Sequence, residues 1–370
     1  MLRSGAVEPN RNNNKTRRIA VTRSMTVTTH RYSLGTFSIA GSPPFPGLVI
    51  DKRVIALHML APLCKTLGVE LFGAGSMLEL LEYWRFNEKA LQSAVDTLVA
   101  DPASALLTDV AVPVSRLKVH APIQNPRQFF CAGANYRKHV IDLIVDQNRD
   151  PAAAALTETE RRAYAEALMD QRASEGTPYI FTQPVTSICG PYDDVMLQQG
   201  LEQPDWELEL AVVIGRDTFQ VSEEDALEHV AGYTIVNDIS NRELVHRTDL
   251  KAIGSDWVMG KGLPTYSPMG PFIVPASQIA DPQQLQITLK LNGEVMQDES
   301  TADMIFPVAK LIAYLSSRIR LLPGDILITG SPSGNGSHYN RFLRPGDKLE
   351  SSILGLGVQR NCCIAEGYNQ

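Results

Sequence analysis

The chain has 370 residues, of which 44% are hydrophobic and 20% are charged, with a formal net charge of -7. This composition is typical of a water-soluble globular protein with one large domain or two smaller ones. The acidic balance and the lack of a long basic block after residue 30 argue against nucleic acid as the main partner. No apolar run approaches the roughly 18 residues needed to cross a bilayer, so we do not expect a membrane-spanning protein.

The N-terminus and the cysteines indicate the compartment. Residues 1–30 are polar and basic and lack the apolar core of a secretory signal, so we predict a disordered extension. An arginine-bearing transit peptide is the alternative, and Met25 is an alternative start. The five cysteines show no C-x-x-C spacing and fit a reducing compartment. We therefore expect a cytoplasmic protein in which Cys131, beside a motif described below, is a small buried residue rather than a nucleophile.

Short elements follow the extension. From Tyr32 to about Asp51, strand-like runs are broken by Gly and Pro turns. Ser76 and Glu79 form a capping box, which predicts a helix start, and a second helix is predicted from Asn87 to Leu98. These patterns predict a small α+β cap domain over residues 31–120, and we find no chemistry in it.

A polar helical segment interrupts the main domain. Thr157 and Glu160 form a second capping box, and Gly176 with Pro178 ends the predicted helix. Because the segment has few large apolar residues, we expect weak packing and high mobility. We interpret residues of about 140–178 as a helical lid.

Short strands dominate the chain beyond Pro184, and helical signals are confined to Ser222 to about Ala231 and to Pro307–Ser317. This spacing predicts an antiparallel-rich, two-sheet or rolled architecture rather than a βαβ array. The predicted fold class is α+β, mainly β. The predicted strands lie in DWELELAVVIG, HVAGYTIVND, MGPFIVPA, LQITLKLNG, GDILITG and GDKLESSILG.

Three acidic residues stand at the ends of apolar strands. In DWELELAVVIG, Glu207 and Glu209 are two positions apart, so on a strand they share a face with Cβ atoms about 6.5–7 Å apart, within reach of one metal ion. Asp238 ends the next apolar strand, GYTIVND. Three oxygen ligands suit Mg²⁺ or Mn²⁺, and no histidine stands at a ligand spacing to favour zinc. The competing interpretation is a strand with one wet face.

Two further motifs hold catalytic candidates. In GANYRKHVID, His139 and Asp142 are neighbours at i, i+3 on a predicted helix, which indicates a carboxylate-oriented base or a surface ion pair. Lys261 lies between glycines, and ITGSPSGNG spans residues 328–336; such loops expose N–H groups to anionic oxygens. Neither loop matches a Walker A or dinucleotide fingerprint, so ATP and NAD are not predicted.

Taken in order, these motifs resemble the fumarylacetoacetate hydrolase family, in particular its acylpyruvate hydrolase and 2-oxo-diacid hydratase-like members. The likeness covers residues 125 to 365 and is weaker from about residue 31. It implies a mixed β-sandwich roll over residues 121–370, a bound Mg²⁺ or Mn²⁺ ion (or Ca²⁺) and a homodimer. The motifs are GANYRKH, DWELELAVVIG, GYTIVNDISNRE, GKGLPTYSPMGP, TADMIFPVAKLIAYLS, LLPGDILITGSPSG and the final GDKL…GLG.

The resemblance also implies an activity, hydrolysis of a C–C bond in an acylpyruvate or related β-diketo acid to give a 2-oxo acid and a carboxylic acid. In this scheme His139 activates water, Asp142 orients His139 and Lys261 stabilises the developing negative charge. The implied roles are metal binding by Glu207, Glu209 and Asp238, catalysis by His139, Asp142 and Lys261, and substrate contact by Arg242, Ser331 and Tyr136.

Three positions depart from the family pattern: Asp142 replaces the usual Glu, Val245 the usual Gln, and Gln183 the Lys of a K-P pair. These departures leave two alternatives open. One is a decarboxylase, hydratase or isomerase of a 2-oxo acid in aromatic catabolism. The other is a homologue that binds metal and ligand without catalysis.

Overall fold

A computed structural model describes residues 30–147, 152–249 and 254–367. Apart from His30, the predicted N-terminal extension lies outside these ranges. Within them, every helix is too short or too polar to cross a membrane.

The N-terminal part combines a sheet with helices, as predicted. The helix start predicted at Ser76 is confirmed, because its hydroxyl accepts the backbone N–H of Glu79 at 3.2 Å. The sheet has the order β4-β3-β2-β1-β5 and is antiparallel throughout. Its strands are β1 (Ser33–Ser38), β2 (Phe45–Ile50), β3 (Arg53–Ala56), β4 (Val112–Pro113) and β5 (Lys118–His120), and its helices are α1 (Ala61–Thr66), α2 (Met77–Glu82) and α3 (Trp84–Ala100).

The second part contains a central sheet and a partner sheet, which confirms the mixed, mainly β prediction. The central sheet comprises β6 (Phe129–Gly133), β7 (Tyr179–Thr182), β11 (Leu208–Ile214), β12 (Val230–Asn237), β15 (Val274–Pro275) and β18 (Ile326–Ile328), in the order β15-β12-β11-β18-β6-β7. The partner sheet comprises β9 (Val195–Leu197), β16 (Gln286–Leu291), β17 (Glu294–Ser300), β19 (Lys348–Ile353) and β20 (Gly357–Ala365), in the order β17-β16-β19-β20-β9. Most pairs are antiparallel, whereas β6 with β18 and β9 with β20 are parallel.

Short strand pairs and helices complete the second part. They are the pair β8 (Ile188–Cys189) with β14 (Ser267–Pro268), the pair β10 (Pro204–Asp205) with β13 (Ser240–Asn241), and the helices α6 (Arg242–Val245), α7 (Trp257–Lys261), α8 (Val308–Ser316) and α9 (Gly336–Tyr339). The helix predicted from Ser222 to about Ala231 is wrong in extent. Only a 3₁₀ turn, Ala226–His229, forms there, because Val230 already starts β12.

The central sheet is buried on both faces. Along β11, Leu210 and Val212 belong to the core shared with the partner sheet and α8, whereas Ala211 and Val213 belong to the core shared with the N-terminal part. Every residue of β11 is buried, so the wet-face interpretation of this strand is wrong. The apolar stripe of α8 and its preceding loop, including Phe306 and Leu311, is likewise core.

The predicted lid segment contains two packed helices, α4 (Arg137–Gln147) and α5 (Glu158–Glu175). Thr157 and Glu160 form the predicted capping box, and the C-cap of α5 is Gly176. Few side chains of α5 are buried, among them Ala165 and Met169, and most of its surface is polar. Ile141 and Val145 of α4 and Ala165 and Met169 of α5 nevertheless belong to the main hydrophobic core, so the pair is attached by apolar as well as polar contacts.

Candidate metal centre and active site

The carboxylates predicted to bind metal converge at one end of the central sheet. Glu207 immediately precedes β11 and Asp238 immediately follows β12, and because the strands are antiparallel these positions are adjacent. The Asp238 backbone N–H donates to the Glu207 carbonyl at 2.8 Å. Glu209 lies on β11, and its carboxylate accepts the N–H of Gly330, just beyond β18, at 2.6 Å.

Oxygen atoms of Glu207, Glu209 and Asp238 lie within 4.8 Å of one another, and all three residues are buried. Buried carboxylates are costly unless cations balance them. With Asp205 included, four buried carboxylates face two cations, Arg242 and Lys261, which leaves an excess of two negative charges. Hard oxygen donors and this charge excess fit one divalent cation such as Mg²⁺ or Mn²⁺.

The pKa values of the three carboxyl groups reflect the same excess of negative charge. Burial raises the pKa of Glu209 well above its usual value, and the neighbouring Asp238 raises it further. Burial also raises the pKa of Asp238, against the opposing effect of Lys261. Burial acts on Glu207 in the same direction, but Arg242 and Lys261 outweigh it and lower its pKa. Glu209 is thus the carboxylate with the least cationic compensation from the protein.

Lys261, at the end of α7, contacts the three buried carboxylates of Glu207, Glu209 and Asp238, which we call the acidic cluster, through two of its members. Its ammonium donates to Glu207 Oε2 and Asp238 Oδ2, each at 2.5 Å, and to Ser240 Oγ at 2.6 Å. The rings of Phe181 and Trp257 lie 5.7 Å from the nitrogen, so the charge faces aromatic surface as well as carboxylates. The paired carboxylates raise its pKa although burial opposes this, and Lys261 remains protonated.

His139 lies in the first turn of α4 and lines the same cavity as the carboxylates. Burial lowers the pKa of its imidazole to about 4, although Glu207 acts in the opposite direction. The ring is therefore neutral near pH 7, and one of its nitrogens can accept a proton.

Asp142, expected to orient His139, has other partners. Its carboxylate accepts the hydroxyl of Ser333 at 2.7 Å and lies 3.5 Å from a guanidinium nitrogen of Arg162 on α5. Among the described residues, no hydrogen bond joins Asp142 to the His139 ring. Its negative charge still favours the protonated ring, and its attachment to Arg162 connects α4 with α5.

The predicted substrate contacts divide into two groups. Arg242 and Ser331 line the cavity, but Arg242 is also bound to carboxylates: its Nε donates to Asp205 Oδ2 at 2.8 Å and its Nη2 to Glu207 Oε1 at 2.7 Å. Tyr136 differs from expectation. Its ring is fully buried in the core, and Tyr136 is not among the residues that line the cavity.

The cavity has a volume of about 360 Å³ and three kinds of wall. The acidic cluster forms one wall, and Phe181, Trp257 and Val245 form an apolar wall. The remaining wall is polar and uncharged, with Gln203, Ser337 and Asn340. A larger cavity of about 800 Å³ beside the N-terminal sheet is mainly apolar and lies apart from the carboxylates, so the chemistry assigns the smaller cavity as the site.

Several buried polar residues of the site were missed by sequence reasoning. Ser240 donates to Glu207 Oε2 at 3.0 Å, and the Asn335 amide lies 3.3 Å from Glu207 Oε1. Gln183, noted only as a departure, donates to Asp238 Oδ1 at 2.6 Å. Asp205 carried a usable signal, since strand alternation places it on the face of Glu207 and Glu209.

Comparisons with known proteins identify the family of this chain. A model of the fumarylacetoacetate (FAA) hydrolase C-terminal region matches residues 128–364. The human mitochondrial oxaloacetate tautomerase 2B is 32% identical over 318 residues, which cover 83% of this chain and 90% of that protein. The 2,4-didehydro-3-deoxy-L-rhamnonate hydrolase of Sphingomonas sp. (strain SKA58) is 44% identical over 186 residues, which cover 50% of this chain and 64% of that protein.

A solved structure shows the same fold. The fumarylacetoacetate hydrolase of Exiguobacterium antarcticum superposes with a TM-score of 0.64 at 26% identity, covering 90% of this chain and 100% of that one. The family match spans the acidic cluster, His139 and Lys261. The chain therefore belongs to the fumarylacetoacetate hydrolase family, whose relatives include both hydrolases and tautomerases.

Proposed function

We propose that this chain is a divalent-metal-dependent hydrolase that cleaves a C–C bond in an acylpyruvate or related β-diketo acid. The products are a 2-oxo acid and a carboxylic acid. The observation that carries the proposal is that the neutral imidazole of His139 shares one small cavity with the carboxylate cluster of Glu207, Glu209 and Asp238.

Those three carboxylates would hold Mg²⁺ or Mn²⁺, with Ca²⁺ as an alternative. When bound, such an ion supplies Lewis acidity to the 2-oxo-acid end of a substrate. The acidic side chains are themselves held in place, because both oxygens of Glu207 and of Asp238 accept hydrogen bonds. In the proposed binding mode the distal carbonyl of the substrate would lie towards His139 and the uncharged wall, which line the same cavity.

His139 is the general base of the proposed reaction. A ring nitrogen takes a proton from a water molecule, and the water oxygen attacks the distal carbonyl carbon. When the C–C bond breaks, its electron pair passes to the 2-oxo-acid fragment as an enolate. The imidazolium of His139 then returns the proton to carbon, so the net reaction consumes one water molecule.

Lys261 stabilises negative charge as the bond breaks. Its ammonium is fixed before reaction by Glu207, Asp238 and Ser240, so little reorganisation is needed when the enolate forms. The aromatic wall of Phe181 and Trp257 limits water access to the same atoms.

Two relatives support different members of this reaction class. The Sphingomonas relative is named a hydrolase of a sugar acid oxidised at carbons 2 and 4, which is the 1,3-relationship of carbonyls that the proposal requires. The human relative is named an oxaloacetate tautomerase and covers more of this chain. Tautomerisation, decarboxylation or isomerisation of a 2-oxo acid in the same cavity is therefore the second candidate.

Product analysis separates these activities, and replacement of His139 tests the proposed mechanism. Purified protein with Mg²⁺ or Mn²⁺ is incubated with a panel of acylpyruvates and 2-oxo acids, and products are identified by mass spectrometry. Hydrolysis gives two fragments whose masses sum to substrate plus water, tautomerisation leaves the mass unchanged, and decarboxylation releases carbon dioxide. We expect His139→Ala to slow hydrolysis by about 10²–10⁴-fold, the usual contribution of a general base.

The matched control is His338→Ala, which removes a half-exposed histidine paired with Asp146 outside the acidic cluster. This variant should hydrolyse substrate at the parent rate. Equal rates for the His139→Ala variant and the parent protein would sink the proposed mechanism. Tight Mn²⁺ binding without turnover of any panel member would instead favour a homologue that binds metal and ligand without catalysis, an interpretation motivated by Asp142 and Val245.

The homodimer and the cytoplasmic location stay predictions. The stripe around Phe306 and Leu311 does not support a dimer contact, because it is buried within the core of one chain. Light scattering coupled to size-exclusion chromatography tests the dimer, and a mass equal to that of one chain would exclude it.

A further inference from the structure

We propose that Asp205 is a positioning residue of the metal centre, which holds Arg242 against Glu207 and so fixes the orientation of that ligand. The inference rests on the metal site of the proposed function but not on the reaction catalysed there. Asp205 itself is not one of the three proposed metal ligands, and its side chain does not line the cavity.

Asp205 is fully buried, and each of its carboxylate oxygens is used. The Oδ2 atom accepts Arg242 Nε at 2.8 Å and the Ser337 backbone N–H at 3.1 Å. The Oδ1 atom accepts the backbone N–H of Gly336 at 2.5 Å. A buried charge with this many donors is held in one orientation, and the groups bound to it share that constraint.

Arg242 transmits the constraint to the metal ligand. Its guanidinium is planar, so the hydrogen bond from Nε to Asp205 also sets the direction of Nη2. That atom donates to Glu207 Oε1 at 2.7 Å. On the other side, Lys261 and Ser240 hold Glu207 Oε2. The Glu207 carboxylate is therefore clamped from both oxygens, and one half of the clamp depends on Asp205.

The same carboxylate fixes part of the cavity wall. A Cβ atom on Gly336 would lie 2.7 Å from Asp205 Oδ1 and 2.2 Å from the Arg341 carbonyl oxygen, so the close approach requires glycine. Ser337, the next residue, and Asn340 line the cavity. Asp205 thus joins the uncharged wall of the cavity to the ligand Glu207 through two hydrogen bonds on one side and Arg242 on the other.

Charge gives Asp205 a second effect. The positive charge of Arg242 reduces the affinity of neighbouring carboxylates for a cation, and Asp205 offsets that charge at 2.8 Å. Without the Asp205 charge, the excess at the site falls from two negative charges to one. Geometry and charge therefore act in the same direction on divalent-cation affinity.

The experiment measures Mn²⁺ affinity in Asp205→Asn. Free Mn²⁺ is counted by electron paramagnetic resonance during titration of the purified full chain, without any substrate. The matched control is Asp347→Asn, because Asp347 is also buried and paired with an arginine, Arg341, at 2.7 and 2.8 Å. Asp347 also accepts the backbone N–H of Arg344 at 2.8 Å, but it does not contact the acidic cluster.

We expect Asp205→Asn to weaken Mn²⁺ binding by about 10-fold to 100-fold, the usual effect of removing a partner of a metal ligand. Asp347→Asn should bind Mn²⁺ within about twofold of the parent protein, a difference too small to matter on that scale. Both variants are expected to lose thermal stability, so the difference between them reports the effect of Asp205 on the metal centre, through geometry and charge, rather than general folding. The bound-ion spectrum of Asp205→Asn should also broaden or split, because Glu207 is no longer held in one orientation.

Arg242→Lys provides a second route if Asp205→Asn does not fold. Lysine keeps the charge but cannot bridge Asp205 and Glu207 with a planar fork. We expect the same weakening of Mn²⁺ binding. A folded Asp205→Asn or Arg242→Lys protein that binds Mn²⁺ as tightly as the parent overturns the inference. If the parent protein itself binds no Mn²⁺, the proposed metal-dependent function is wrong. This result differs from parent-like Mn²⁺ binding by a folded variant, which overturns only the role of Asp205.

Discussion

The side-chain amide of Gln183 donates to Asp238 Oδ1 at 2.6 Å, at the position where the family pattern has a lysine. The amide oxygen of Gln183 accepts from Ser267 Oγ at 3.4 Å and from Cys131 Sγ at 3.6 Å, so its orientation is fixed from both ends. An uncharged donor holds Asp238 without reducing the negative charge of the cluster. This substitution preserves the charge excess that a divalent cation would balance.

Gln183→Glu is therefore expected to destabilise the protein strongly in the absence of metal. The new carboxylate would face Asp238 with neither a cation nor a proton between them, a cost of about 3–5 kcal/mol near pH 7. Its pKa in the folded protein would be raised above the unfolded value, so stability should return as the pH falls below that raised pKa. Urea unfolding at several pH values measures this, with Gln183→Met as the uncharged comparison. A Gln183→Glu protein as stable as the parent at pH 7 would contradict the contact.

Removing the metal should destabilise the folded protein more at high pH than at low pH. Burial raises the pKa of Glu209 and of Asp238, so in the metal-free protein both favour protonation. For groups with raised pKa, stability is present at low pH and is lost as the pH rises through the folded-state values. Mn²⁺ removes that penalty and competes with the protons. The rise in Tm caused by Mn²⁺ should therefore be larger at pH 8 than at pH 5.5.

Differential scanning fluorimetry with and without Mn²⁺ makes this measurement. Ser333→Ala is a suitable reference variant, because it changes a polar contact to Asp142 and leaves the three ligands in place. An Mn²⁺ effect on Tm that is independent of pH would show that the carboxyl groups of the cluster do not have raised pKa values.

Burial lowers the pKa of His139 to about 4, which gives stability the opposite pH dependence. In the unfolded chain the imidazole titrates near its ordinary value of about 6.5. The unfolded state thus binds more protons between those two values, and folding stability falls as the pH decreases from about 6.5 towards 4. His139→Asn should flatten this part of the stability curve. Unchanged curvature in His139→Asn would place the imidazole in an exposed environment.

The signal for Glu207 and Glu209 is local, because their spacing places both on one face of a strand by alternation. Asp238 is expected beside them from its position at the end of the next apolar strand and from the family resemblance. The contacts that hold these groups are not local: Asp205 meets Gly336, which is 131 residues later in the chain. Tyr136 likewise forms a backbone bridge with Met304, far along the chain. Such pairings depend on the sheet order, which no single segment specifies.

The helical lid, predicted from the weak apolar content of residues of about 140–178, gives another prediction. Arg172 on α5 donates to the carbonyl of Ala134, which lines the cavity, and its guanidinium lies 5.3 Å from the Phe306 ring centre. Removing a hydrogen bond from a charged donor costs about 1.5–3 kcal/mol. Arg172→Ala should therefore raise local opening of α5 by roughly tenfold or more.

Hydrogen exchange followed by mass spectrometry reports this opening. Arg318→Ala is the control, because the Arg318 guanidinium donates to the carbonyl of the adjacent Ser317. Exchange should accelerate in α5 and leave the central sheet protected. If the Arg172→Ala protein shows unchanged exchange in α5, polar contacts to the loop at Ala134 do not hold the helix in place.

Glu209→Gln is expected to have opposite effects on metal affinity and on metal-free stability. Glutamine removes one ligand charge, so Mn²⁺ binding should weaken by at least about tenfold, a loss of roughly 1.4 kcal/mol in binding free energy. Its amide oxygen can still accept the Gly330 N–H, which Glu209 now accepts at 2.6 Å. Because the charge of Glu209 is the least compensated in the cluster, its removal should raise the free energy of unfolding of the metal-free protein by about 1–2 kcal/mol at pH 8.

Calorimetry measures Mn²⁺ binding and urea unfolding measures stability on the same preparation, with Glu207→Gln as the comparison. Glu207 is paired with Arg242 and Lys261, so the Glu207→Gln variant should lose stability as well as metal affinity. Equal stability changes in the two variants would show that Arg242 and Lys261 compensate both glutamates alike.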